Sequence, residues 1–265
     1  MKSCILFLIA AITTLNATAQ KLPNKQEASF KAPANIKIDG KATEWGDLKA
    51  YNSAIESYYR IANDDKNLYF ILTASEPVII RKIIAGGVTL SVKAAAAGND
   101  KVVSVTYPLF DRKSPTKFNF LRSKDAIANR FRADTFMLAA NKDIVTMAKQ
   151  IKVNGAKTVR DTLSIYNEEG IMAASSFNNQ VVYTYELALP LKYLRNAAGG
   201  SKVLAYNIRL NGSAYVDGVL FERVEGGMRR TSPIENSPAN PWPAMEDMEI
   251  ISVATDMSGT YTLAL

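Results

Sequence analysis

The chain of 265 residues contains no histidine and only one cysteine, Cys4. Without an imidazole there is no Ser-His-Asp or Cys-His catalytic arrangement, no histidine general base, and no histidine ligand for zinc or haem. With one cysteine, an intramolecular disulfide, an iron–sulfur cluster and a thiolate zinc site are also excluded. The remaining chemistry belongs to carboxylates, hydroxyls, amines, backbone groups and aromatic rings. These absences favour a binding protein over an enzyme.

Concentrated charge of one sign is also lacking. The chain has 32 Lys and Arg against 25 Asp and Glu, and the only adjacent arginines are Arg229 and Arg230. Nucleic-acid binding normally shows a basic stripe with stacking aromatics, so no nucleic-acid partner is expected. The net charge of +7 permits a weak attraction to acidic polysaccharide or anionic lipid without requiring it.

The only long hydrophobic run lies at the N-terminus. Lys2 precedes the apolar residues 5–12, and Ala17-Thr18-Ala19 has the small-residue pattern of a cleavage site. The run is too short to span a bilayer, which needs about 20 residues. We therefore predict a signal peptide over residues 1–19, cleavage after Ala19, and a mature chain in the periplasm or outside the cell with no transmembrane segment. The alternative is a buried N-terminal helix.

The rest of the chain is typical of one all-β domain. Residues 20–34 contain two prolines and no periodicity, which indicates a flexible lead-in. Residues 57–62 and 68–73 are aromatic and β-branched runs on either side of an Asn/Asp turn, which predicts a hairpin. Residues 35–265 are predicted to form a single antiparallel β-sandwich, jelly-roll-like, with a few short helical turns. Residues 226–244 are predicted to form a Pro-rich loop.

Residues 88–92 and 102–107 predict a second hairpin, with Gly98-Asn99-Asp100 near its turn. Residues 124–132 have a locally helical pattern, and residues 136–153 alternate between helix-like and strand-like spacing, so the sequence does not determine the structure of 120–160.

Four segments in this order resemble one known family. Its members open with an I-D-G-x-x-x-E-W motif, continue with a D-D-x-x-L-Y hairpin, and carry an E-x-x-I-P strand end followed by a further strand. The corresponding segments here are 36–45, 63–69, 185–191 and 205–208. On these motifs the chain resembles the family-9 carbohydrate-binding modules and the related DOMON-like β-sandwiches. Residues 165–171 and 255–263 further resemble exported proteins of Bacteroidetes-type bacteria built on this fold.

This resemblance covers nearly the whole chain after the signal peptide, and it implies a jelly-roll-like sandwich. In the sugar-binding members it also implies an aromatic cleft and structural calcium. Those modules clamp sugar between two tryptophans. This chain has only Trp45 and Trp242, and Trp45 sits in the opening motif, where a packing role is expected.

Aromatic side chains are the candidates for ligand binding, because their ring faces stack on the C–H patches of sugars. Trp242 is the first candidate, since Pro241 and Pro243 stiffen the loop around it. Its alternative role is a cover on the sandwich. Trp45, Tyr58 and Tyr59 complete the set. Strand alternation sends the two tyrosines to opposite faces, so one of them belongs to the core.

Asp64 and Asp65 are the candidates for metal binding. With their asparagine neighbours they offer several oxygen donors within five residues, which suits Ca²⁺. The alternative is a plain Asn/Asp turn, whose side chains bond the local backbone. No other cofactor is expected.

Carboxylates offer little sign of catalysis. Glycoside hydrolysis needs two carboxyl groups facing each other across the bond, whereas Glu168 and Glu169 are adjacent and point apart if extended. Glu186 has apolar neighbours and is predicted to be buried in an ion pair with an arginine such as Arg209. No catalytic residue is assigned.

The sequence thus predicts an exported, non-catalytic binding domain for a carbohydrate. The alternative is a structural or assembly protein of the cell envelope that binds a protein partner through its sheet edges or the loop at 226–244.

Overall fold

A computed structural model describes residues 22–96, 98, 101–110, 130–198, 202–216, 219–231 and 245–264. The predicted signal peptide and Trp242 lie outside these residues. Within them the chain forms fourteen strands and four helices. None of the helices in these ranges is long and apolar enough to cross a membrane.

The first sheet has five antiparallel strands. Its spatial order is β1 (Ala50–Asn52), β2 (Ser57–Asn63), β3 (Asn67–Ala74), β9 (Tyr183–Pro190) and β8 (Met172–Phe177). The predicted hairpin at the Asn/Asp turn is confirmed as β2 and β3.

The second sheet has six antiparallel strands. Its order is β14 (Thr255–Thr262), β10 (Val203–Leu210), β4 (Val88–Ala94), β5 (Val103–Tyr107), β6 (Gln150–Asn154) and β7 (Thr162–Ser164). Strands β4 and β5 confirm the second predicted hairpin. A small third sheet joins β11 (Tyr215–Val216), β12 (Val219–Val224) and β13 (Gly227–Arg230).

The two large sheets face each other across one core. Tyr59 from the first sheet and Tyr206 from the second bring their hydroxyls to 2.9 Å, and the rings of Tyr107 and Tyr185 lie 6.0 Å apart. Side chains along β3 and β9 alternate between this core and a second buried cluster on the outer face of the first sheet, so these two strands are covered on both faces. The predicted all-β sandwich is therefore confirmed.

The helices are longer than the short turns expected. They are α1 (Pro77–Gly86), α2 (Arg130–Met147), α3 (Leu191–Ala198) and α4 (Met245–Ser252). Helix α2 falls within 120–160, where the sequence pattern was ambiguous. Helix α1 begins at a proline, which fits the first helical turn, and buries a run of isoleucines.

The lead-in, whose flexibility stays a prediction, makes hydrogen bonds with β2. Strand β1 is too short to pair with the second half of β2, and Gln26 fills the gap. Its amide accepts a hydrogen bond from the Ile61 N–H at 2.7 Å and donates to the Ile61 carbonyl at 2.8 Å. Further along, Ala32 N–H donates to the Asn63 carbonyl at 2.8 Å. Unpaired backbone groups of β2 explain why this segment is held.

The loop predicted at 226–244 also differs at its start. Gly227–Arg230 form strand β13 and pair with β12, because Met228 buries its side chain in a small cluster with residues of α4. Residues 232–244 lie outside the described ranges.

Gly259 on β14 gives a first testable prediction. A Cβ at this position would overlap the phenol oxygen and ring of Tyr206, which Tyr59 holds in the core. Gly259→Ala is expected to lower the free energy of unfolding by about 1–3 kcal/mol, measured by urea denaturation. Thr260→Ala, at an exposed neighbouring position, is the control. Equal stability of the two variants would contradict this packing.

Candidate functional site

Glu186 on β9 is a fully buried carboxylate on the outer side of the first sheet. Its Oε2 accepts hydrogen bonds from three successive backbone N–H groups, those of Asp39, Gly40 and Lys41, at 3.0, 2.7 and 3.2 Å. Its Oε1 accepts a hydrogen bond from the indole Nε1 of Trp45 at 2.6 Å. One side chain of the sheet therefore holds both ends of the loop that carries the I-D-G opening motif.

Gly40 allows this loop to approach the sheet. Its backbone has φ +81°, and a Cβ would lie 2.6 Å from the Ser175 carbonyl carbon and 2.7 Å from the Ser176 nitrogen. The Ser176 hydroxyl also donates to the Gly40 carbonyl at 2.7 Å. Any larger residue would push the loop away from Glu186.

Burial dominates the acidity of Glu186. Loss of hydration raises its pKa to about 7, although the hydrogen bonds from Trp45 and from the backbone of Gly40 and Asp39 act in the opposite direction. The carboxylate is enclosed and has four protein donors around it, so its role is to position the loop.

This arrangement corrects two expectations. The predicted ion pair between Glu186 and Arg209 does not form, because Arg209 is an exposed residue of β10 in the opposite sheet. Trp45 is only 2% exposed and its indole N–H donates a hydrogen bond to Glu186, so its ring is not available to a ligand. The opening motif had indicated packing for Trp45, but nothing in the sequence indicated its partner.

Five hydroxyl-bearing side chains occupy consecutive paired positions across the outer face of the first sheet. Each is paired in register with the next, from one edge strand to the other. We call this set the hydroxyl row; it consists of Tyr51, Tyr58, Thr73, Thr184 and Ser176. Their neighbours along the strands face the core, so strand alternation directs all five outward.

The two tyrosines form the exposed end of the hydroxyl row. Their ring centroids are 4.9 Å apart and the ring planes are inclined at 59°. Tyr58 is 40% exposed, whereas Tyr59 is fully buried in the core. Tyr58 is therefore the outward member of the predicted pair, and Tyr59 is removed from the candidate ligand contacts.

A cavity of about 650 Å³ adjoins the other end of the hydroxyl row. Its wall exposes more apolar than polar surface, and hydroxyl and amide groups are set into it; the lining residues are Gly40, Lys41, Ala42, Thr43, Asn141, Ser176, Phe177, Asn178 and Thr184. Asn141 ties helix α2 to this wall, because its amide exchanges two hydrogen bonds with the backbone of Phe177, at 2.7 and 2.9 Å. The loop held by Glu186 closes the cavity on one side.

The predicted metal residues lie at the opposite end of the sheet. Asp64 Oδ1 accepts hydrogen bonds from the N–H groups of Lys66 and Asn67, both at 2.7 Å, and its Oδ2 accepts one from the Tyr69 hydroxyl at 2.9 Å. Burial alone would raise the pKa of Asp64, but these hydrogen bonds lower it below its usual value. These contacts are those of an Asn/Asp turn. Ca²⁺ binding by Asp64 and Asp65 stays a prediction.

Trp45→Phe tests the link between the sheet and the loop. The variant keeps a ring in the same space but leaves Oε1 of a buried carboxylate without its donor. We expect the free energy of unfolding to fall by about 1–3 kcal/mol in a urea titration. Tyr58→Phe, which removes a hydroxyl at a half-exposed position, should change it far less. Stability of Trp45→Phe equal to that control would show that the indole hydrogen bond has no structural role.

The pKa of Glu186 predicts a pH dependence of stability. Folded Glu186 keeps its proton up to a pKa of about 7, whereas the unfolded value is near 4.5. Between these values the folded chain binds more protons, so the free energy of unfolding should fall as pH rises, by at most about 1.4 kcal/mol per pH unit.

Above pH 7 the contribution of Glu186 to the free energy of unfolding should no longer change with pH. No histidine titrates in the same window. Trp45→Phe removes a hydrogen bond that lowers the pKa of Glu186. In this variant the free energy of unfolding should therefore continue to fall to a higher pH. A free energy of unfolding that rises from pH 5 to 7 would contradict this prediction.

Comparisons with known proteins identify no family for this chain. No protein-family model matches the chain, and no curated protein matches it. Any functional conclusion therefore rests on the residues of the chain itself.

Proposed function

We propose that this chain is a non-catalytic carbohydrate-binding protein whose ligand lies on the hydroxyl row and enters the adjoining cavity. The observation that carries the proposal is the register of the first sheet, which places five outward hydroxyl side chains in paired positions from the tyrosine pair to the cavity.

The chemistry of the row suits a sugar. The ring of Tyr58 offers a face for the C–H groups of a pyranose, while hydroxyls and amides pair with its hydroxyl groups in both donor and acceptor roles. Asn178 and Thr43 extend the same chemistry around the cavity. Ligand sites combine apolar surface with a small number of placed polar groups, and the cavity wall offers that combination.

Among the residues that the structure describes, the most deeply buried acid supports binding over hydrolysis. A glycosidase acid must reach the bond that it cleaves. Glu186 is fully buried, and both of its oxygens accept hydrogen bonds from protein donors. It supports the wall of the cavity and does not face a ligand.

Tyr58→Ala tests the proposed function. Retention of the full chain on a glycan array, or in affinity electrophoresis with soluble polysaccharides, is expected to weaken about tenfold when the exposed ring is lost. Tyr166→Ala is the matched control, because Tyr166 is 74% exposed and lies outside the row. Trp242→Ala tests the other predicted aromatic contact in the same assay.

Two results would contradict the proposal. If glycans retain Tyr58→Ala as strongly as the wild type, the hydroxyl row is not part of the binding site. No glycan retention at all, together with co-purification of an envelope protein, would favour the structural or assembly role instead.

A further inference from the structure

We infer that the sugar bound at the cavity is acidic, and that Lys41 binds its negatively charged group, the carboxylate of a uronic acid or a sulfate ester. This inference rests on the proposed function and names the class of carbohydrate. Three features of the cavity carry it: the charge of its wall, the donors that the wall leaves unused and the acceptors beside them.

The described part of the cavity wall carries one positive charge and no negative charge. Among the described residues that line it, Lys41 is the only one with an ionisable side chain. The Lys41 side chain is 64% exposed, so its ammonium group is accessible to a ligand in the cavity. A concave surface with charge of one sign attracts groups of the opposite sign. The wall therefore favours an anionic group over a neutral one.

The contacts of Lys41 fix its backbone and leave its ammonium group available. Its backbone N–H donates to Asp39 Oδ1 at 3.0 Å and to Glu186 Oε2 at 3.2 Å. Asp39 Oδ2 lies 3.8 Å from Lys41 Nζ, which is too long for a hydrogen bond, and Asp39 does not line the cavity. An exposed pair at this distance is weak. The ammonium group therefore keeps its donors for a ligand.

Asn178 supplies a second donor on the same wall. Its Oδ1 accepts the backbone N–H groups of Gln180 and Val182, at 2.9 and 3.0 Å. Because two donors bind this oxygen, the orientation of the amide is determined, and its Nδ2 is the end that a ligand can meet. An ammonium group and an amide N–H on one wall suit the oxygens of a carboxylate or sulfate.

The hydroxyl groups of the wall act as acceptors. Ser176 donates its hydroxyl hydrogen to the Gly40 carbonyl, and Thr43 donates its hydroxyl hydrogen to Glu44, both at 2.7 Å. The lone pairs of both oxygens remain for the hydroxyl groups of a ligand. A sugar with one acidic group matches both the donors and the acceptors. An inorganic anion would leave the acceptors unused and most of the 650 Å³ empty.

The experiment is calorimetric titration of the full chain with soluble oligosaccharides in charged and neutral forms. One arm compares oligogalacturonates and oligoglucuronates with their methyl esters, and the other compares sulfated galacto-oligosaccharides with their desulfated forms. In at least one arm the charged form is expected to bind about tenfold more tightly at low salt. Because Lys41 is exposed, raising the salt to about 500 mM should remove most of this difference.

Variants of two lysines in the same loop locate the charge. Lys41→Ala is expected to weaken binding of the charged form about fivefold to tenfold and binding of the neutral form far less. Lys41→Arg keeps the charge and should keep most of the affinity. Lys37→Ala is the matched control, because Lys37 is exposed and lies in the same loop but outside the cavity wall. The two alanine variants should unfold at the same urea concentration, since the backbone N–H of Lys41 is retained.

Asn178→Asp gives an independent measurement. The variant keeps an oxygen for the N–H groups of Gln180 and Val182, but it replaces the amide donor with a second, negatively charged oxygen. Binding of the charged oligosaccharide should weaken at least about tenfold, while binding of the neutral form should change far less.

The outcomes separate the inference from the proposed function. Equal affinity for the charged and neutral forms in both arms, a loss in Lys41→Ala no larger than in Lys37→Ala, or wild-type affinity of Asn178→Asp for the charged form would each overturn the acidic ligand, while binding of the neutral sugars would still support the proposed function. Binding of no glycan of any kind would overturn both.

Discussion

The outer face of the first sheet depends on a carboxylate that has been taken out of water. Glu186 lies 145 to 147 residues along the chain from the three backbone N–H groups that it binds, and the indole of Trp45 completes its set of donors. Removing a carboxylate from water costs several kcal/mol unless its oxygens are paired. Four donors offset part of that cost, and they fix the loop that forms one wall of the cavity. The candidate site is therefore positioned by a contact that touches no ligand.

Most of the fold could be predicted because β-strands and their turns have recognisable local sequence patterns. The hairpin of β2 and β3 follows from aromatic runs around an Asn/Asp turn, and its register explains why Tyr59 is buried and Tyr58 is not. The helices were harder to predict. Isoleucines of α1 favour strands by propensity, and their burial between elements distant in sequence overrides that preference.

The site could be predicted only in part, because its order comes from pairing between strands. Tyr58 was identifiable as an aromatic residue on an alternating strand. Thr73, Thr184 and Ser176 were not, since an isolated serine or threonine in a strand carries no signal until the register places it beside others. The partner of Glu186 was missed for the same reason. Its apolar neighbours indicated burial correctly, but a backbone loop contributes no side-chain pattern that a sequence could reveal.

The hydrogen bonds of Gln26 bear on how this sandwich meets other proteins. An unpaired strand edge invites a strand from another chain, which leads either to recognition or to aggregation. Along the second half of β2, that edge is already occupied by the amide of Gln26 and by the backbone around Ala32. The chain thus blocks strand addition beside its own candidate site, and a partner approaching there meets side chains and not a free backbone. Contacts through side chains are those that a sugar makes, whereas an added strand would need the backbone groups that Gln26 has taken.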